Sequence, residues 1–282
     1  MPVLRARPAR AGYTPIVSPA DSDLRYLSFG LVTLGNGESW RHRPSEQETV
    51  LVVLGGKCDV AASGQRWERI GERVDVFGGK PTAVYVPPGC EFEVTGRGKV
   101  EVAVCGAQAE SGPAATLIPP ERVGFRKVGE GAFHREIHDL VTAESFPAKR
   151  LIVGETYNPP GLWSSYPAHK HDRAEPPQES ALEEVYHFRV QPPQGFGLQR
   201  VYGEGLPGPS GPRGDPSGSQ RGQGFDEAYA VQDRDTAVIT RGYHPVVAAP
   251  GYRLYYLWML AGERRIMQWR EDPAHAWVRD TR

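Results

Sequence analysis

Net charge, cysteine, long apolar runs and helical periodicity are all scarce in this sequence, and each scarcity excludes something. Among 282 residues, 33 Lys and Arg stand against 34 Asp and Glu, a formal net charge of -1. There is no basic excess to hold nucleic acid or an anionic membrane, so neither is an expected partner. The cysteines Cys58, Cys90 and Cys105 are odd in number and show no CxxC spacing. That argues against a disulfide framework and fits buried free thiols in a reducing compartment. The longest apolar run, Leu254 to Ala261, is far short of the roughly 20 residues that span a bilayer. Met1 to Arg10 is basic but is not followed by the apolar segment of a secretory leader. A cytoplasmic protein is expected.

What the chain has instead is turn chemistry and short β-rich runs. Its 33 glycines and 26 prolines are spread throughout. Between them lie runs rich in Val, Ile, Tyr, Phe and Trp: Thr49–Leu54, Lys57–Ala62, Ala83–Val86, Glu91–Val94, Val100–Val104, Leu151–Glu155, Glu184–Val190, Ala237–Thr240 and Arg253–Leu260. Such runs, bounded by Gly, Pro and Asp, predict an all-β sandwich or barrel. The halves are alike in outline. Glu48-Thr-Val-Leu-Val-Val-Leu and a later Val86-Pro-Pro-Gly are echoed by Glu183-Glu-Val-Tyr-His-Phe and a later Ala249-Pro-Gly. Two jelly-roll units are expected, over residues 1–125 and 126–282, with Pro113–Ala148 joining them. Tyr202 to Phe225 is mostly Gly, Pro, Ser, Arg and Gln. It reads as a long mobile loop, near 203–224, between two strands of the second unit.

The chemistry concentrates in Ser165-Tyr-Pro-Ala-His-Lys-His-Asp172. On an extended strand His169 and His171 face the same way and Lys170 the other. Glu184 and His244 follow on later runs, with Pro245 biasing His244 to extended backbone. Glu183 and Glu179 are alternative carboxylates. Three imidazoles and one carboxylate suit a divalent transition metal rather than Ca or Mg. The bland alternative is a set of surface histidines beside a proline-rich loop. Of the other histidines, His42 is expected in solvent, His187 on the face away from Glu184, and His275 in a polar tail. His134 and His138 are more often structural than substrate-binding.

The HxH, Glu and distant His on β-strands resemble the cupin superfamily, although thirteen positions separate His171 from Glu184 where the usual gap is a few. Leu151-Ile-Val-Gly-Glu-Thr156, Pro159-Pro-Gly-Leu-Trp-Ser-Ser-Tyr-Pro-Ala-His-Lys-His-Asp172 and Leu182-Glu-Glu-Val-Tyr186 resemble the 5-deoxy-glucuronate isomerases of myo-inositol catabolism. The Glu-Val-Tyr match selects Glu184. The resemblance implies two cupin barrels, the first without metal. It also implies conversion of 5-deoxy-glucuronate to 2-deoxy-5-keto-gluconate, an aldose–ketose isomerisation at a divalent ion (Zn before Mn or Fe). The base is open among a metal hydroxide, Tyr186, Tyr256 and Glu155. The substrate carboxylate calls for a cation, in the order Arg135, Arg253, Lys170. An iron-dependent cupin oxygenase with the same ligands is the competing reading. Exposed β-edges leave a homo-oligomer open.

Overall fold

The computed structural model of the chain describes residues 3–6, 10–205 and 222–280. Its regular structure is almost wholly β. The helical pieces among the described residues are three short 3-10 turns, Pro120–Arg122, Gly131–Phe133 and Ala276–Asp280, and no helix is long and apolar enough to cross a membrane.

The strands form two sandwiches packed back to back. The first joins a six-stranded sheet (Thr116–Ile118, Thr82–Val86, Gln47–Gly55, Val100–Gln108, Leu27–Leu34, Gly12–Val17) to a four-stranded sheet (Ser39–His42, Phe92–Gly96, Cys58–Ala62, Gln65–Ile70). The second joins a seven-stranded sheet to a four-stranded one. The larger runs Val3–Leu4, Thr236–Ile239, Glu183–Gln191, Arg253–Ala261, Ile152–Asn158, Arg135–Val141, Gly124–Val128; the smaller runs Trp163–Ser164, Val246–Ala248, Phe196–Gly205, Gly222–Gln232. His169–Lys170 pairs with Arg270–Glu271 as a separate ribbon.

Both faces of each large sheet are buried, which explains the continuous apolar runs. Along Gln47–Gly55, Val50, Val52 and Leu54 enter a core shared with Val153, Val185, Leu257 and Met259 of the second sandwich. Leu51 and Val53 point the other way, against Val60, Phe92 and Val94. In the second sandwich Tyr186, Phe188, Ile239, Tyr256 and Leu260 pack against Val231, Val246 and Ala248. The described residues thus form three cores, one inside each sandwich and one between them.

Three expectations change in detail. Among the described residues no strand pairing closes either sandwich into a barrel. The expected division at 125/126 falls inside strand Gly124–Val128, which belongs to the seven-stranded sheet, and Val3–Leu4 crosses to the far edge of that sheet. The expected loop near 203–224 is strand at both ends: Tyr202 opposes Asp226, Gly203 opposes Phe225 and Gly205 opposes Gly222. Its remainder, 206–221, lies outside the described residues.

Candidate metal centre

His169, His171 and His244 come from two separated segments, yet one ring nitrogen of each lies within 4.8 Å of those of the other two. Glu184 closes the group: its Oε2 is 3.1 Å from His171 Nε2 and 3.3 Å from His244 Nε2. Strand alternation places it. Glu184 shares the inward face of Glu183–Gln191 with Tyr186 and Phe188, while Val185 and His187 face the other sandwich. His244 is reached through Gly242 at φ +86°, where a Cβ would lie 2.7 Å from the Phe225 ring.

The imidazoles are oriented from behind. His171 Nδ1 lies 2.9 Å from the Leu182 carbonyl and His244 Nδ1 2.8 Å from the Gly242 carbonyl. A carbonyl only accepts, so each Nδ1 carries a proton and each ring turns its Nε2 toward the centre. The buried His244 Nε2 has no hydrogen bond of its own. Burial pushes the Glu184 carboxyl up, but the adjoining His171 and His244 rings outweigh it and hold the group at about 2. Burial, reinforced by the neighbouring imidazoles, keeps His169 well below its usual range. At His171 burial acts downward, but Glu184 outweighs it and the net shift is upward. A carboxylate beside three imidazoles, one with an unpartnered nitrogen aimed inward, fits a divalent transition ion.

Two phenols form the adjoining wall. The rings of Tyr186 and Tyr256 are 4.4 Å apart. Tyr256 Oη is 2.7 Å from Ser164 Oγ, which accepts from Asn158 Nδ2 at 3.0 Å, and Tyr186 Oη is 3.4 Å from Ser165 Oγ. Burial raises both phenols, Tyr186 well above its usual range. A neighbouring cleft of about 970 Å³ is lined by Arg135, Trp163, Tyr166, Tyr202 and His275 among others.

Other candidates are not brought here. Glu155 sits on the opposite face of Ile152–Asn158 and faces the first sandwich. Its carboxylate takes Arg73 at 2.6 and 3.0 Å, Tyr255 Oη at 2.7 Å and Tyr157 Oη at 2.9 Å, with His138 Nδ1 at 3.4 Å. As a candidate base Glu155 is therefore corrected: alternation turns it away from the metal cavity. Arg253 is exposed, stacked over Phe77 at 4.9 Å and donating to Gln191. Lys170 points away from the histidines, as alternation predicts, and binds Asp172 and Glu179 at 2.6 and 3.0 Å. Glu179 is thereby occupied, and Glu183 accepts backbone N–H groups at Arg25, Tyr26 and Leu27. His187 faces away, 3.0 Å from Thr236 Oγ1. His42 is exposed but stacked on Trp40.

Several contributors had no role in the sequence reading. Ser164 and Ser165 lay within the quoted Trp-Ser-Ser run, and that run was their only signal. Asp172 accepts from the Gly242 N–H at 2.7 Å, tying the His171 segment to the His244 segment. Gln199 donates to the His244 carbonyl at 2.7 Å, and the Trp269 ring lies 5.6 Å from His169. His275, expected in a polar tail, lines the cleft. These are contacts between distant segments, with no local pattern to announce them.

A double β-sandwich with a His/His/His/Glu cluster on the inner wall of one half is the class defined so far. The KduI/IolB family model matches residues 4–278. A Geobacillus kaustophilus protein named 5-deoxy-glucuronate isomerase is 38% identical over 276 residues, 98% of this chain and 94% of the relative. One of the same name from Bacillus subtilis strain 168 is 35% identical over 275 residues, 93% and 91% of the two chains. The crystal structure of an IolB-like protein from Salmonella typhimurium LT2 superimposes with a TM-score of 0.87 at 35% identity, covering 99% of both chains. A Lactobacillus farciminis oxalate decarboxylase, at 11% identity and a TM-score of 0.61 over 93% and 85% of the chains, shares the fold alone. The chain belongs to the KduI/IolB family.

Proposed function

We propose that this protein is a 5-deoxy-glucuronate isomerase, forming 2-deoxy-5-keto-gluconate at a divalent ion held by His169, His171, Glu184 and His244. Family membership and the names of its relatives support the reaction. The observation that carries the site is the convergence of those four side chains beside a cleft. We read the two sandwiches as paired cupin units, roughly 1–125 and 126–282, apart from the strands that cross that division. The first unit has Thr49 where the second has Glu184, each following a glutamate at or next to the first residue of its strand (Glu48, Glu183), and is structural.

The reaction turns an aldehyde and its neighbouring hydroxyl into a hydroxymethyl group and a ketone. In net terms one hydrogen is transferred from C2 to C1, and the O2 proton moves to O1. His169, His171, Glu184 and His244 would hold a divalent Zn, Mn or Fe ion, which when bound would supply Lewis acidity to the reacting end of the substrate. Tyr186 and Tyr256, kept protonated by burial, hold or deliver a proton at those oxygens rather than act as bases. Ser164 and Ser165 fix the phenols in place.

The test is anaerobic turnover of 5-deoxy-glucuronate followed by NMR, alongside elemental analysis of the parent and of His171→Ala. The expected result is turnover by the parent, and loss of both metal and activity in the variant with its β-rich circular dichroism intact. Oxygen uptake in place of anaerobic isomerisation would overturn the reaction. Equal metal content in the two proteins would overturn the ligand assignment.

A further inference from the structure

The cleft beside the histidines contains three guanidinium groups. Arg200 is paired with Asp226 at 2.7 Å, and Arg279 with Glu271. Arg135 is different. Among the described residues no carboxylate lies within ion-pairing distance of it, and its one hydrogen bond goes to the Phe133 carbonyl at 3.2 Å. It is half-buried. Ile137, two residues on, packs into the core of the second sandwich, so alternation turns Arg135 to that same inner side. His138, on the other face, reaches Glu155 between the sandwiches. The backbone makes room for the guanidinium at Gly129, φ +76°, where a Cβ would stand 2.9 Å from Arg135 Nη1.

A partly desolvated cation without a counter-ion is costly to keep unless an anion completes it. Burial already pushes the Arg135 group down, against the pull of Tyr256 and Tyr186, and its charge also bears on His169. The guanidinium is therefore electrostatically in touch with both the phenol pair and the metal-binding nitrogens. A guanidinium fork takes a carboxylate by two parallel hydrogen bonds.

We propose that Arg135 is the specificity-determining residue of this site, binding the terminal carboxylate of an open-chain sugar acid whose aldehyde end reaches the histidines. The proposal rests on the isomerase reading and adds to it the direction in which the substrate lies. The site is then selective for uronic acids over neutral aldoses, because only an acid completes the unpaired cation. The other two cations considered for this part are spent elsewhere: Arg253 on Phe77 and Gln191, Lys170 on Asp172 and Glu179.

The experiment compares the parent, Arg135→Met and Arg135→Lys on 5-deoxy-glucuronate and on 5-deoxy-glucose, which has a hydroxymethyl group in place of the carboxylate. Binding is read by ligand-observed NMR, turnover by kcat and KM, and bound metal by elemental analysis. The methionine variant should keep its metal, weaken acid binding by about 30-fold or more, and leave the neutral sugar within about threefold. The lysine variant keeps the charge without the fork and should fall between, which preserves the test should the methionine variant fold poorly. Acid binding within threefold of the parent in both variants overturns the proposal, as does a parent that binds the acid no better than the neutral sugar. Selective acid binding lost in Arg135→Met, with no isomerisation by the parent, would support the clamp and overturn the reaction.

Discussion

Glu48 and Glu183 are reciprocal staples between the two sandwiches. The Glu48 carboxylate accepts the backbone N–H groups of Lys149, Arg150 and Leu151 at 2.9, 2.6 and 2.8 Å. Glu183 accepts those of Arg25, Tyr26 and Leu27 at 2.7, 2.7 and 2.6 Å. Each lies near the start of a strand in its own large sheet and clasps the chain as it enters, or is about to enter, a strand of the other. Glu48, fully buried, also takes the Tyr85 hydroxyl at 2.8 Å. Removing an acceptor strands its donors, so Glu183→Ala should cost about 2–4 kcal/mol and Glu48→Ala more. Urea denaturation midpoints of the two variants check the order; a smaller loss at Glu48 would contradict it.

Glu155 is a structural anion. Its buried carboxylate neutralises the buried Arg73 at the interface of the sandwiches. Glu155→Gln should lower stability by about 3–5 kcal/mol, because Arg73 is left uncompensated, while bound metal stays unchanged. Burial raises this carboxyl, but Arg73, His138 and Tyr255 outweigh it and bring the group from 4.5 to about 2. A depressed carboxyl stabilises the fold above its unfolded value and loses that contribution as pH falls through the folded one. The parent should therefore lose stability between pH 4.5 and about 2 more steeply than Glu155→Gln does. Urea midpoints across that window measure it; parallel profiles would rule the linkage out.

Tyr256 carries a hydroxyl fixed by Ser164 and kept protonated by burial. Tyr256→Phe should reduce kcat by about 100-fold with KM within a fewfold, the mark of a group used in the transition state rather than in uniform binding. Steady-state kinetics with metal content as control settle this. A change confined to KM would make the phenol a binding group only.

Asp172 joins the two metal-binding segments through Lys170 on one side and the Gly242 N–H on the other. Gly242 in turn offers its carbonyl to His244. Asp172→Ala should weaken metal affinity by roughly 10- to 100-fold, while Asp172→Asn, which keeps an oxygen for Gly242, recovers most of it. Competition against a chromogenic chelator reads both. Equal affinities in parent and alanine variant would leave Asp172 with no part in holding the site.

The all-β character was legible because runs such as Val50–Leu54 combine β-branched residues with flanking turn signals, and the inward face of Glu184, Tyr186 and Phe188 followed from period 2 alone. Alternation also placed Lys170 and His187 correctly. Glu155 directly precedes Thr156, and that single step along the strand takes it from the metal side to the other sandwich. Arg253 shares the face of Tyr255, two residues on and between the sandwiches, and so lies opposite Tyr256, which faces the metal side. The strand pairing at Tyr202–Gly205 was hidden by a composition that reads as loop, and Ser164, Gln199 and His275 reach the site through contacts no local window contains.

The antiparallel pairing of Val3–Leu4 with Thr236 and Ala237 has a practical side. Arg5 adds an ion pair to the buried Asp235 at 2.6 Å. Trimming the chain through Arg5 would bare the rim of the strand that neighbours the one bearing Glu184, offering unpaired amides to any extended segment nearby. A truncated preparation is then prone to self-association beginning one strand away from the metal ligands, and a tag meant only for purification belongs at the other terminus.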